Sequence, residues 1–208
     1  MGRRKKEPRS VHRENIAVAA SALFMKKGIA AASMDDIAKA AGYSKATLYV
    51  YFENKEEIVG LLTLQSMEKL YDHIASALAG QEGTRARYDL ICKGLVRYQE
   101  EFPFYFDIAL SKINIDFESR DYLPEEKETY LIGEKINEKL KDFLMEGMEK
   151  GDLRKDLELM PAIFGFWGML SGIIRLAANK EAYIKKAMGL SREQFLEYGF
   201  SMLYRTIV

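Results

Sequence analysis

The segment Ser33–Glu57 constrains the fold most strongly, because helix-start and helix-stop signals follow one another closely along it. Ser33 is followed three residues later by Asp36, which is the spacing of a capping box at a helix N-terminus. Gly42 follows an apolar stripe at helical spacing, and a left-handed glycine there ends a helix at little steric cost. Ser44 then suits the N-cap of a second, brief helix. The segment therefore predicts two short helices separated by a tight turn.

A longer helix is predicted to follow, because Asn54 and Glu57 repeat the capping-box spacing. Two short helices joined by a glycine-containing turn form the helix-turn-helix unit, whose second helix enters the major groove of DNA. Small, polar, basic and tyrosine side chains in and around that second helix are therefore candidates for DNA contact. These candidates are Ser33, Tyr43, Ser44, Lys45, Ala46, Thr47, Tyr49, Tyr51 and Lys55.

The chemistry of these side chains suits both bases and phosphates. Ala46 and the Thr47 methyl group can contact a thymine methyl, and the Thr47 hydroxyl can reach a base edge. Lys45 can bind guanine or phosphate, and the tyrosine hydroxyls can reach phosphate oxygens. Lys55 lies in the first turn of its helix, where a cation and free backbone N–H groups converge on an anion. Each residue alone also fits a purely structural role, so the prediction depends on the whole ordered string.

This ordered string resembles the DNA-binding head of TetR-family transcriptional regulators. The shared residues are Ile16, Ala20, Leu23, Phe24, Gly28, Ser33, Ile37, Ala38, Ala41, Gly42, Ser44, Thr47, Leu48, Tyr49, Tyr51, Phe52, Lys55, Glu56 and Ile58. Three positions depart from the usual family pattern, namely Ile29, Ala46 and Val50, and the last of these removes one potential phosphate contact. The resemblance implies a homodimer with an all-helical body, which binds a double-stranded DNA operator and is released by a small molecule.

The distribution of charge also separates the segment that resembles the DNA-binding head from the rest of the chain. Residues 1–55 hold 11 Lys and Arg against 5 Asp and Glu, whereas residues 56–208 hold 20 against 26. A basic head on an acidic body orients a protein on DNA and keeps the body away from the phosphates. We therefore predict a DNA-binding head at 1–55 and an effector-binding and dimerisation domain at 56–208. The head includes a basic N-terminal arm, which we expect to reach the minor groove or the backbone. The arm carries Arg3, Arg4, Lys5, Lys6 and Arg9.

The fold class predicted from the sequence is all-α, because helical periodicity recurs along the chain and strand alternation does not. The longest uncharged stretch, from Leu159 to Ile174, is short for a bilayer span and contains Pro161, so we expect a buried helix at an interface. No signal peptide is recognised, and a single cysteine, Cys92, fits a reducing compartment. These features predict a cytoplasmic protein with no membrane partner.

The last two helices are predicted to form the dimer interface. Glycine within a helix costs about 1 kcal/mol relative to alanine, so several on one face suggest the close approach of another backbone. The alternative is that these faces only complete the core of one chain. In a dimer, two helices from each subunit would make a four-helix bundle. The interface candidates are Gly165, Gly168, Gly172, Phe195, Phe200 and Leu203.

An effector pocket is predicted among the aromatic residues of the body, because ligand pockets are mainly apolar with a few placed polar groups. An aromatic stripe at helical spacing is equally the pattern of an ordinary core. The pocket candidates, which would suit a hydrophobic effector, are Tyr88, Tyr98, Phe102, Phe106, Phe143, Phe164 and Trp167.

Two other classes of function compete with a ligand-responsive regulator. An enzyme is disfavoured, since His12, His73 and Cys92 are too widely separated to predict a metal cluster, and no glycine-rich phosphate loop occurs. No cofactor and no metal are expected. The second alternative is a DNA-binding regulator or architectural protein without a small-molecule effector, which would need no pocket. Repression rather than activation is implied only by the resemblance.

Overall fold

The computed structural model describes residues 7–79, 83–110 and 123–208. All regular structure in these residues is α-helical, so the predicted all-α class is confirmed. The helices are α1 (Arg9–Lys27), α2 (Met34–Ala41), α3 (Lys45–Tyr51), α4 (Lys55–Leu78), α5 (Thr84–Glu101), α6 (Pro103–Ala109), α7 (Pro124–Glu149), α8 (Leu159–Asn179), α9 (Glu181–Met188) and α10 (Arg192–Tyr204). The sequence patterns predict α2, α3 and the longer helix α4, as well as α8 and α10, but they predict neither α6 nor α9 as a separate helix.

The described residues form two compact units, to which α4 and α7 both contribute. The first unit comprises residues 7–66 and 123–129, and the second comprises 67–79, 83–110 and 130–208. This division reflects the compactness of the chain, whereas the predicted boundary between residues 55 and 56 separates functions and stays a prediction. The basic residues 3–6 of the predicted arm lie outside the described residues.

The first unit forms around local capping signals and a small apolar core. Ser33 closes the predicted capping box: its Oγ accepts from the Asp36 N–H at 3.2 Å, while its own N–H donates to the Asp36 carboxylate at 3.0 Å. Gly42 ends α2 in the left-handed conformation, with φ at 74°. The turn between α2 and α3 is therefore fixed by residues within it. The core below it contains Ile16, Ala20, Phe24, Ile37, Leu48, Phe52 and Ile58.

The second unit is a helical body whose core is closely packed. A Cβ atom added to Gly147 on α7 would lie 2.6 Å from a Leu153 methyl and 2.9 Å from the Thr84 methyl, so a larger residue there would displace these side chains. The start of α10 is fixed by a capping box between Ser191 and Gln194. The buried residues at its centre include Ile91, Cys92, Leu95, Tyr98, Phe106, Leu170, Ile174 and Ala177.

Candidate nucleic-acid interface

The recognition helix α3 is held from beneath and capped at its start. Leu48 is fully buried and fastens the helix to the core of the first unit. The Ser44 Oγ accepts from the Thr47 N–H at 3.1 Å and lies 2.7 Å from the Thr47 hydroxyl. Lys45, Ala46 and Tyr49 face outward and are exposed. This geometry presents the first turn of α3 as a polar, largely open surface, which is the part of such a helix that reads bases.

Lys45 is paired but remains available for DNA. Its ammonium lies 2.7 Å from the Asp35 carboxylate, and that hydrogen bond raises the pKa of Lys45. Both side chains are more than half exposed, and exposed ion pairs of this kind contribute only about 0–1 kcal/mol. Exchanging Asp35 for a phosphate or a guanine therefore costs little.

The predicted contact residue Ser33 is engaged within its own helix cap. Its hydroxyl donates to the Asp36 carboxylate at 2.6 Å, and Lys27 donates to the same oxygen at 2.6 Å. The hydrogen bond from Lys27, followed by those from Ser33, lowers the pKa of Asp36. This carboxylate at the N-terminus of α2 neutralises the free N–H groups that a phosphate would otherwise approach.

Tyr43 and Tyr51 lie at the two ends of α3 and share one neighbour, His12 on α1. The Nδ1 atom of His12 is 2.8 Å from the Tyr43 hydroxyl. The His12 ring lies 5.0 Å from the Tyr51 ring between centroids, and the two tyrosine rings meet edge to face at 6.2 Å. The sequence indicated both tyrosines as DNA contacts, but it suggested no role for His12 beside them.

Lys55 makes contacts that the sequence did not predict. Its ammonium donates to the carbonyl of Ile29 at 2.8 Å and to the carbonyl of Ala32 at 3.0 Å, and it lies 3.5 Å from that of Ala30. The side chain thus binds the connection between α1 and α2, at the start of α4. Its predicted role in phosphate binding stays a prediction, with competing carbonyl partners now identified.

Two arginines on α1 also support the C-terminal end of α3. Arg9 donates to the Val50 carbonyl at 3.0 Å, and Arg13 donates to the Tyr51 carbonyl at 2.8 Å. Arg13 additionally pairs with Glu125 at 2.5 Å and lies over the Phe52 ring. Carbonyls at a helix C-terminus lack partners within the helix, so these arginines satisfy them.

The candidate pocket residues fall into four places within the second unit. Tyr98 lies 6.2 Å from Phe102 and 5.9 Å from Phe106 between ring centroids, and Phe106 lies 6.5 Å from Trp167, so these four form one aromatic cluster. Phe164 is 55% exposed on α8 and does not join them.

The remaining two pocket candidates are buried in other surroundings. The Tyr88 hydroxyl donates to the Phe200 carbonyl at 2.9 Å, and burial raises the pKa of Tyr88. Phe143 lies beneath the guanidinium of Arg87. The role of all seven residues in binding an effector stays a prediction.

The three predicted interface glycines share an open face of α8. Apart from the neighbouring residues and the local backbone of α8, no described atom comes within 4 Å of a Cβ added at Gly165, Gly168 or Gly172. The same face carries the exposed side chains of Phe164, Met169 and Leu176. Among the described helices, α8 is also the one whose length and composition would allow it to cross a membrane.

The predicted residues of α10 lie mostly on its inner side. Leu203 is 5% exposed within the core, and Phe195 and Phe200 are half-buried against that core. The outward face of α10 instead offers Tyr198 and Met202, which are 70% and 49% exposed. These two residues line a surface cavity of about 340 Å³ together with polar residues of the same helix.

Metal-ligand geometry and the state of Cys92 bear on whether the described residues could support catalysis. No group of three or more His, Cys, Asp or Glu side chains among those residues is placed to hold a metal ion. Cys92 is buried, and burial raises the pKa of its thiol to about 12, which removes the nucleophilic thiolate at neutral pH.

Comparison with known proteins identifies the first unit. Residues 16–62 match the family model described as "Bacterial regulatory proteins, tetR family". The chain is 38% identical over 82 residues to the HTH-type transcriptional regulator TtgR of Pseudomonas putida, an alignment covering 39% of each protein. It is 34% identical over 86 residues to IcaR of Staphylococcus epidermidis, named a negative regulator of a biofilm operon, with 41% of each protein covered. The chain thus spans about two fifths of the length of these curated relatives.

The fold of the whole chain also has solved counterparts. The structure of the TetR family transcriptional regulator PfmR from Thermus thermophilus aligns with a TM-score of 0.68 and 26% sequence identity. That alignment covers 91% of this chain and 97% of PfmR. TtgR, IcaR and PfmR are each named as transcriptional regulators, and none of these names denotes an enzyme.

Proposed function

Since this chain belongs to the TetR family of transcriptional regulators, we propose that it is a homodimeric regulator that binds a palindromic DNA operator. The observation that carries the proposal is α3 itself. Its N-cap is Ser44, its buried anchor is Leu48, and its first turn is open, within the matched residues 16–62. Lys45, Ala46 and Thr47 would read base edges, while flanking tyrosines would contact phosphates.

The requirement for a dimer follows from the size of the reading element. The recognition helix has 7 residues, so one head contacts too few base pairs for useful affinity. Two heads that bind half-sites roughly 34 Å apart would add their binding free energies. Two identical heads would require an operator with two-fold symmetry. The open glycine face of α8 beside exposed Tyr198 and Met202 of α10 supports this assembly. An isologous contact would cover both surfaces.

The proposed effector is a small hydrophobic molecule that binds the helical body and releases the operator. The cluster of Tyr98, Phe102, Phe106 and Trp167 is the candidate lining, because repacked aromatic rings can accept an apolar ligand. Such a ligand acts only through its differential affinity for the DNA-competent and released states. Repression is the proposed outcome of operator binding, in a cytoplasmic protein with no membrane partner.

A gel-shift experiment on the DNA upstream of the protein's own coding sequence tests the regulatory function. We expect a discrete complex that survives excess random duplex and that dissociates at higher salt, as phosphate contacts require. Equal competition by random duplex would contradict the proposal. A thermal-shift screen with hydrophobic compounds then tests the effector, and uniformly negative results would favour the alternative of a regulator without one.

A further inference from the structure

We propose that His12 is a positioning residue for DNA recognition, which holds Tyr43 and Tyr51 in place at the two ends of α3. The inference rests on the proposed function of the head and adds a residue that the helix-turn-helix motif does not contain. It concerns the geometry of the phosphate-contacting tyrosines rather than a direct contact between His12 and DNA.

The position of His12 on α1 makes it a bridge between sequence-distant residues. Its Nδ1 atom and the Tyr43 hydroxyl are 2.8 Å apart, and one donates to the other according to the imidazole tautomer. On its other side the imidazole lies tilted by 30° over the Tyr51 ring at 5.0 Å. Its Nε2 atom lies 3.9 Å from a carboxylate oxygen of the exposed Glu7 side chain. The contacts that hold the ring are therefore those to Tyr43 and Tyr51.

The location of the two tyrosines gives this bridge its importance. Tyr43 immediately precedes the N-cap Ser44, and Tyr51 is the last residue of α3. A helix of 7 residues has little stability of its own and takes its orientation from its surroundings. Both tyrosines are half-buried, so their rings are held while part of each remains open to solvent. Fixing them before binding avoids part of the entropy loss that immobilisation on DNA would otherwise cost.

His12 differs from Arg9 and Arg13, which also support α3. Those arginines donate to the main-chain carbonyls of Val50 and Tyr51 and therefore support the end of the helix. His12 instead contacts the side chains of both tyrosines. Its own side chain is 22% exposed, so its removal leaves a shallow surface gap rather than a core cavity.

Two substitutions separate the contacts of His12. His12→Asn places an amide near the former Nδ1 position and preserves the hydrogen bond to Tyr43, but it removes the ring over Tyr51. His12→Phe preserves the ring and removes the hydrogen bond. His12→Ala removes both, and Tyr43→Phe removes the hydroxyl alone. Val18→Ala is the matched control, because Val18 lies on the same helix and is 59% exposed.

Affinity is measured for the full-length protein at one fixed pH, on the tightest duplex that the wild-type protein selects from random sequence. We expect His12→Ala to weaken binding roughly tenfold or more, since each of two heads loses a hydrogen bond and a ring contact. The His12→Asn and His12→Phe variants should each retain part of the DNA affinity that His12→Ala loses. Adding Tyr43→Phe to His12→Ala should cost less than Tyr43→Phe costs in the wild-type background.

Three results would overturn the inference. Wild-type affinity in His12→Ala would show that the tyrosines need no support. A lowered unfolding temperature that accounts for the whole loss of DNA affinity would make His12 merely structural. A salt slope reduced by about one unit per subunit would make His12 itself a phosphate ligand. Failure of the wild-type protein to select any duplex would instead refute the proposed function, which separates the two outcomes.

Discussion

Replacing Gly168 by alanine separates the stability of a single chain from the stability of the proposed dimer. Apart from the neighbouring residues and the local backbone of α8, no described atom lies within 4 Å of a Cβ at this position, so the alanine methyl meets no obstacle among the described residues. Gly168 is inside α8, where alanine is favoured over glycine by about 0.8–1 kcal/mol. The isolated chain should therefore become more stable by roughly that amount.

The dimer should respond in the opposite direction. If the glycine face packs against the partner's α8, the added methyl overpacks the contact at a cost of about 1–3 kcal/mol, and two-fold symmetry applies the substitution on both sides. The dimer dissociation constant should then rise roughly tenfold or more, since tenfold corresponds to about 1.4 kcal/mol.

Sedimentation equilibrium measures the dissociation constant, and urea unfolding at low protein concentration measures the stability of the chain. Gly133→Ala is the control, because its Cβ would meet a Met67 methyl at an ordinary 3.7 Å within the second unit. It should stabilise the chain and leave dimerisation unchanged. If Gly168→Ala associates as tightly as the wild type, the α8 face is not the interface.

Three further substitutions or modifications test other contacts. Gly147→Ala should destabilise the body by about 1–3 kcal/mol in urea unfolding, because the new Cβ would lie 2.6 Å from Leu153, and an unchanged midpoint would contradict this packing. Lys55→Ala should weaken binding to all duplexes alike and leave the salt dependence of affinity nearly unchanged, because the Lys55 ammonium binds carbonyls. A salt slope reduced by about one unit per subunit would instead indicate that Lys55 binds a phosphate. Cys92 should resist alkylation at pH 8 in the folded protein and react on unfolding, and rapid modification of folded protein would contradict its burial.

The sequence predicted the head well because its structural signals are local. The capping box of Ser33 and Asp36, the left-handed Gly42 and the N-cap Ser44 each act over a few residues, and each occurs in the structure as predicted. Local chemistry of this kind can be interpreted without knowing what packs nearby.

Contacts between distant residues could not be predicted in the same way. His12 and Tyr43 are separated by 31 positions, and no spacing rule relates a residue on α1 to one before α3. The carbonyl contacts of Lys55 were missed for a related reason. Lysine in the first turn of a helix fits phosphate binding, but the adjacent α1–α2 connection supplies carbonyl acceptors that only the folded chain reveals.

The two faces of α10 show the limit of periodicity in the body. Apolar residues occur on both sides of this helix, so the pattern cannot distinguish the core face from the exposed face. The sequence favoured Phe200 and Leu203 as interface residues, whereas the structure leaves Tyr198 and Met202 more exposed. The glycines of α8 are more informative. Glycine lowers the stability of a helix relative to alanine, so three on one face suggest a packing partner, and the structure leaves that face open.

Selection of bound sequences from random duplexes, with purified protein and no added small molecule, tests the account most directly. The proposed pair of α3 helices predicts an enriched palindrome whose half-site centres are about one helical turn, or a multiple of one turn, apart. Substituting Thr47 should change the preferred base at particular positions of each half-site. Recovery of no enriched sequence, or of an asymmetric site unaffected by Thr47, would contradict recognition by two identical heads.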